Sequence, residues 1–269
     1  IDNSSNNSTV FNAVLQNLVD QKFPVNDDMK EDAATIIKQI KSAYKSNYGD
    51  NYKDSLNQAL TSAGYKNLSE YRQRMIKQIQ YANFLLDYID DHFDDVFNDY
   101  YQQCAPKYVS LIKISVSDTS SPTDDETSKL NEVKELISNT DKSFGDIAQD
   151  YSDDSTSSKK GSLGIVDSKD TSGIANSYGK DVFNAIEALS EGQVSDVITG
   201  DNGYYFVKVT STDKKTLKKE LKKTDIDSPL LAYDDYLQYV VYNSYKINYK
   251  DKDIKKIVQE VVNKALEER

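Results

Sequence analysis

The sequence predicts an α+β fold in which a helical body is assembled from both ends of the chain and a mixed module is inserted between them. Three observations carry this reading. Eight of the ten glycines lie between Gly145 and Gly203, so glycine-poor stretches flank a turn-rich middle. Apolar residues in the two flanks recur at helical spacing. In the middle the period shortens to two, where 108–116 alternates and is rich in β-branched residues.

The first flank reads as a series of helices. Val10, Val14, Leu15 and Leu18 share one face of a first helix over 10–21, and Pro24 interrupts it. Ala33, Ile36, Ile37, Ile40 and Tyr44 mark a second over 27–48, which Gly49 stops. Tyr52, Leu56, Ala59, Leu60 and Ala63 mark a third, ended by Gly64. Asn67 with Glu70 forms a capping-box pattern, and the stripe after it runs from Leu68 through Ile89 and on to Cys104, with Pro106 as the boundary.

The middle then reads as strand 108–116, helix 124–138, short helix 144–151, a Ser/Asp/Lys loop, and a brief strand 163–166. Helix 178–189 follows, and strands 194–198 and 204–210 close the module across Gly200-Asp201-Asn202-Gly203. The second flank begins with a basic run, 214–223. Ser228 before Pro229 is a cap with a favoured first-turn proline, and a Tyr-rich helix spans 230–245. Ile254, Ile257, Val258, Val261, Val262 and Ala265 line one face of a last helix. The expected division is 1–105, 106–211 and 212–269, with the first and third parts sharing one core.

Composition narrows function. The net charge of −11 disfavours nucleic acid and anionic membrane surfaces as partners, since both require a basic footprint. One Cys excludes an intrachain disulfide or a paired-cysteine metal site, and one His excludes a multi-histidine metal centre. No dinucleotide or phosphate-loop glycine pattern occurs, so no cofactor and no metal is expected. No apolar run is long enough to span a bilayer. The 20 tyrosines suit either adaptable binding surfaces or, as the simpler reading, half-buried positions in place of Phe. His92, in an Asp-rich helical stretch, reads as a surface histidine, and Cys104 as a small buried thiol. The basic run reads as a solvated helix face; contact with a polyanion is the sharper alternative.

The motifs of the middle module have a distinctive order: Phe144-Gly-Asp-Ile-Ala-Gln-Asp-Tyr-Ser152, then Gly161-Ser-Leu-Gly164, then Ala185-Ile-Glu-Ala-Leu-Ser-Glu-Gly-Gln-Val-Ser195, then Gly203-Tyr-Tyr-Phe-Val-Lys-Val209. As a set they resemble the parvulin family of peptidyl-prolyl isomerases over about 100 residues. With a helical lobe before the module and the segment Tyr245-Lys-Ile-Asn-Tyr249 after it, nearly the whole chain resembles the PrsA-type foldases of Gram-positive bacteria.

The resemblance implies a four-stranded antiparallel sheet flanked by helices, inserted into a helical chaperone domain. It implies an extracytoplasmic protein at the outer face of the cell membrane, held by a lipid anchor upstream of Ile1. Its partners would be unfolded or partly folded secreted proteins, and a homodimer through the N-terminal lobe stays open. Active parvulins carry two pocket histidines; here Leu111 and Tyr205 occupy those positions, and neither reproduces the imidazole network. The family's loop acid falls on Asp154, as either a pocket residue or a solvated loop residue. The proline pocket falls on Leu163, Tyr178 and Val182, with Phe183 as a substitute if the helix is turned by one residue. The loop 118–126 carries four acids and no base, which disfavours phosphate-directed recognition. Together these departures imply an isomerase domain that is weak or inactive. A genuinely active isomerase with an altered pocket, or a surface binding protein that retains the scaffold, are the alternatives.

Overall fold

The computed structural model describes residues 3–138, 141–222 and 226–269. The chain divides into two compact units. The first comprises Ile1–His92, Asp225–Asp227 and Asp234–Arg269; the second comprises Phe93–Thr224 and Ser228–Tyr233.

The first unit opens with four helices: α1 (Asn3–Lys22), α2 (Asp27–Tyr48), α3 (Tyr52–Ser62) and α4 (Leu68–Asp91). Side-chain caps start two of them, where Asn26 accepts from the Met29 amide and Asn67 from the Glu70 amide. Glu70 closes its half of the cap on the Lys66 amide, one residue before the position a capping box predicts. The apolar stripe read to Cys104 is two helices. Its first half ends at His92, whose backbone leaves helical geometry and whose ring both bonds the Tyr88 carbonyl at 2.9 Å and stacks on the Tyr88 ring.

The second unit follows with α5 (Phe93–Cys104), β1 (Lys107–Ser115), α6 (Asp124–Ser138), α7 (Phe144–Tyr151) and β2 (Ser162–Val166). It continues with α8 (Ile174–Tyr178), α9 (Lys180–Ala188), β3 (Ile198–Gly200), β4 (Gly203–Ser211) and α10 (Lys214–Leu221). The strands form one antiparallel sheet in the order β2-β1-β4-β3, and the fold is α+β. Alternation along β1 and β4 gives the sheet two apolar faces. Val109 and Leu111, with Tyr205, Val207 and helix residues Ile174, Val182 and Ile186, make one core. Ile112, Ile114 and Phe206, with Leu130, Val133, Phe144 and Ile147 of α6 and α7, make the other.

The units part at 92/93, before the expected boundary at 105/106, because α5 is bonded into the mixed module. Tyr100 donates to Asp167 at 2.8 Å, Tyr101 to the Thr212 carbonyl at 3.0 Å, and Asp94 pairs with Lys218 at 2.8 Å. Ser228 caps a short 3-10 turn at Pro229–Leu231, which also lies in this unit, and Tyr233 beside it donates to Asp99. The basic run is largely α10, with Leu217 and Leu221 buried; its last residue, Lys223, lies outside the described residues.

The chain returns to the first unit with α11 (Leu237–Ser244) and α12 (Lys252–Glu268). There α12 packs along α1, and α11 packs on α4 and α12. Aromatic contacts join the two ends of the sequence: Phe11 stacks on Tyr239 at 4.8 Å and meets Tyr242 edge-on, while Phe84 stacks on Tyr245 at 5.5 Å. Many tyrosines are buried by their rings and satisfied at their hydroxyls, as where Tyr81 donates to Gln238 at 3.0 Å. This is the half-buried role expected of tyrosine over phenylalanine.

Candidate functional site

The site is built where the β1–β4 face meets α8 and α9. Lys113 on β1 lies opposite Tyr205 on β4, and Leu111 opposite Val207, so positions 111, 113 and 205 share one face. A cavity of about 420 Å³ opens beside Tyr205, with Tyr178, Val182, Ile198 and Asn202 among its walls.

Leu111 is fully buried in the core under this face, and its backbone is pinned there, since its amide donates to the Gly161 carbonyl at 2.8 Å. Gly161 has a positive φ of 76°, and a Cβ there would fall 2.4 Å from the Leu111 carbonyl oxygen, so only glycine fits the approach. Leucine offers no hydrogen bond at this position, so the polar floor implied by the family resemblance is absent on β1.

Tyr205 is 3% exposed and donates to Asn202 in the β3–β4 turn at 2.8 Å. Burial pushes its phenol pKa up, with the Asp154 and Asp201 charges acting in the same direction, so it stays a hydrogen-bond donor. Its ring lies against Gly200, where a Cβ would sit 2.7 Å from Cε2. Lys113 Nζ lies 5.8 Å from the centroid of the same ring.

Tyr178, the last residue of α8, faces Tyr205 edge-on at 6.3 Å and turns its hydroxyl toward Asp154 Oδ1 at 3.4 Å. Burial first, and the neighbouring Asp154 second, push the Tyr178 pKa up to about 12. The helix expected over 178–189 begins instead at Lys180, because Gly179, with a φ of 101° that side chains rarely adopt, separates α9 from α8 and leaves Tyr178 as the end of the preceding helix.

Asp154 caps the 3-10 turn at Ser155–Lys159. Its Oδ1 accepts from the Thr156 amide at 2.9 Å and the Thr156 hydroxyl at 2.7 Å. The loop is held against β1 by the Asp153 amide on the Lys113 carbonyl and by Ser152 Oγ on the Lys113 amide. Asp154 is thus a half-buried capping residue within reach of Tyr178. Val182, 1% exposed, is both a core residue of α9 and a wall of the cavity. Its neighbour Phe183 packs half-buried against the same core, as does Leu163 from β2.

The structure therefore brings Leu111, Tyr178, Val182 and Tyr205 together and places Asp154 beside Tyr178. Asn202 and Gly200, which hold the Tyr205 hydroxyl and ring, escaped the sequence reading because the segment reads simply as a turn. Chemically, the arrangement offers two protonated phenols, one cation and an apolar wall. It contains no group poised as a nucleophile, and among the described residues no cluster of His, Cys, Asp and Glu is placed to hold a metal. No described helix is long and apolar enough to cross a membrane.

Comparison with known proteins shows what this module is similar to. Residues 111–211 match the PPIC-type PPIASE domain family, the rotamases, so the mixed module is a parvulin-type domain. Foldase protein PrsA of Staphylococcus epidermidis is 32% identical over 141 residues, which are 50% of this chain and 41% of that protein. Foldase protein PrsA of Staphylococcus aureus matches to the same extent. The chain spans about two-fifths of the length of these curated relatives. Crystal structures of PrsA from Bacillus subtilis (21% identity, covering 95% of this chain and 89% of that one, TM-score 0.44) and of foldase protein PrsA from Streptococcus pneumoniae (20% identity, 96% and 91%, TM-score 0.46) are also similar. Over the matched residues the chain is similar to these PrsA foldase proteins.

Proposed function

We propose that this chain is an extracytoplasmic foldase that binds unfolded or partly folded secreted proteins and carries a weak or inactive prolyl isomerase domain. The observation that supports the proposal is Leu111, fully buried at the position where the family resemblance implies an imidazole, in the core beneath a cavity that opens beside Tyr205. Isomerisation needs no covalent chemistry. It needs the barrier of about 18–20 kcal/mol about the amide lowered by a pocket that binds the twisted bond better than the planar one. Removing preorganised hydrogen-bonding groups weakens that preference. The Tyr205 hydroxyl, already bonded to Asn202, is a poor replacement.

In this reading the helical unit supplies client binding and the parvulin domain is retained as a scaffold. The protein works at the outer face of the cell membrane of a Gram-positive bacterium, tethered by a lipid anchor as the family resemblance implies. A thermal aggregation assay tests it: the full chain, added in stoichiometric amount, suppresses aggregation of an unfolding client. Absence of any protection sinks the proposal.

A second reading is favoured by the paired phenols. Tyr178 and Tyr205 remain protonated donors beside an open cavity, and this supports an active isomerase with an altered pocket. Catalysed isomerisation that falls on Tyr178→Phe would select it.

A further inference from the structure

The helical unit contains a cleft of about 440 Å³ between α1, the start of α12 and the turn that joins α11 to α12. Val14, Leu18 and Lys22 face it from α1 at four-residue spacing, which places them on one side of that helix. Ile247 from the turn and Ile254 from α12 complete an apolar wall. Ile254 is 38% exposed, one of three large apolar side chains so exposed among the described residues. The turn is a fixed wall, because the Tyr249 hydroxyl is bonded to Tyr242 at 2.6 Å.

Charge in the cleft runs against that of the chain. Lys22, Lys246 and Lys250 line it, in a protein of net charge −11. The one carboxylate in the lining, Asp251, is occupied as the cap of α12, accepting from the Asp253 and Ile254 amides at 2.8 and 3.1 Å. Among the described residues none of the three lysines pairs with a carboxylate; Lys22 Nζ lies 5.6 Å over the Tyr245 ring. The amides of Gln21 and Asn248 also line the cleft and offer both donors and acceptors.

We infer that this cleft binds an extended peptide segment carrying acidic and apolar side chains in alternation. Apolar groups would seat against Leu18, Ile247 and Ile254, carboxylates would meet the lysines, and the amides would bond the peptide backbone. A cavity of this size suits a segment of a few residues. The inference deepens the client-binding half of the proposed function and rests on it; the isomerase half does not enter.

Fluorescence anisotropy of the full chain with labelled octapeptides tests it. The expected result is that an octapeptide of alternating Asp and Leu binds, that one of alternating Lys and Leu does not, and that added salt weakens the complex. The variant Lys22→Gln/Lys246→Gln/Lys250→Gln weakens binding by about tenfold, and Ile254→Ser weakens it separately. Equal binding of the acidic and basic peptides, or an unchanged affinity in the triple variant, overturns the inference. So does equally tight binding of polyglutamate, which would make the cleft a bare polyanion site. If the full chain suppresses aggregation yet binds neither octapeptide, the cleft assignment falls and the foldase reading stands.

Discussion

Gly200 and Tyr205 are fitted to one another: the Tyr205 ring occupies the space a Cβ on residue 200 would need, 2.7 Å from Cε2. The backbone of Gly200 does not have the positive φ that calls for glycine, so the ring alone excludes a side chain there. Gly200→Ala therefore displaces a ring that is 3% exposed, at a cost of about 1–3 kcal/mol. Urea denaturation measures the loss. Tyr205→Leu in the same background should recover part of it, because a smaller side chain makes room for the new methyl.

Tyr100 and Asp167 make a second such pair, at the root of the parvulin-type domain. The buried Asp167 carboxylate accepts from the Tyr100 hydroxyl, the Thr171 hydroxyl and the amides of Lys169 and Thr171. Tyr100→Phe removes the one donor from α5 and should destabilise this unit by about 1–3 kcal/mol, read as a shift in the denaturant midpoint. An unchanged midpoint would show that the Tyr100–Asp167 bond adds nothing to the packing and the other polar contacts of α5.

Lys107 reaches across to the end of α9 and donates to the carbonyls of Ile186, Glu187 and Leu189 at 2.7–3.0 Å. A cation at a helix C-terminus meets both the free carbonyls and the negative end of the dipole. Lys107→Met keeps the stem and removes the charge. About 1–3 kcal/mol of stability should be lost, with hydrogen exchange rising first at the end of α9.

Glu126 gives the domain a pH dependence. Its carboxylate accepts from the Thr123 and Ser117 amides and the Ser117 hydroxyl, and these bonds hold its pKa at about 2, below its ordinary 4.5. A pKa depressed in the folded state means stability that is present above pH 4.5 and lost as pH falls toward 2. The stability difference between wild type and Glu126→Gln should therefore be largest near neutral pH and shrink through that window. A difference that stays constant across the window would contradict the assignment.

Much of this was legible in the sequence, and what was not has local causes. Helical stripes and the alternation of β1 and β4 were readable because burial imposes their periods. The strand expected at 194–198 was not, because Ser195 Oγ takes the Val207 amide and Val194 makes only an isolated bridge to Lys208. The regular pairing falls instead at β3. The break after Asp91 carries no Pro or Gly to announce it. The positions of Leu111, Tyr205, Tyr178 and Val182 in the site were readable only through motif order. The Tyr100–Asp167 bond joins residues too far apart in the chain for any local signal.

The central claim is that the pocket, with Leu111 in place of an imidazole, isomerises prolines poorly while the chain still binds unfolded clients. The most direct test is the catalysed cis-to-trans rate of a proline peptide with the full chain. The account predicts a rate within a few-fold of the uncatalysed one, unchanged by Asp154→Ala, from the same preparation that suppresses aggregation. A rate far above background that collapses on Asp154→Ala or Tyr178→Phe would contradict it.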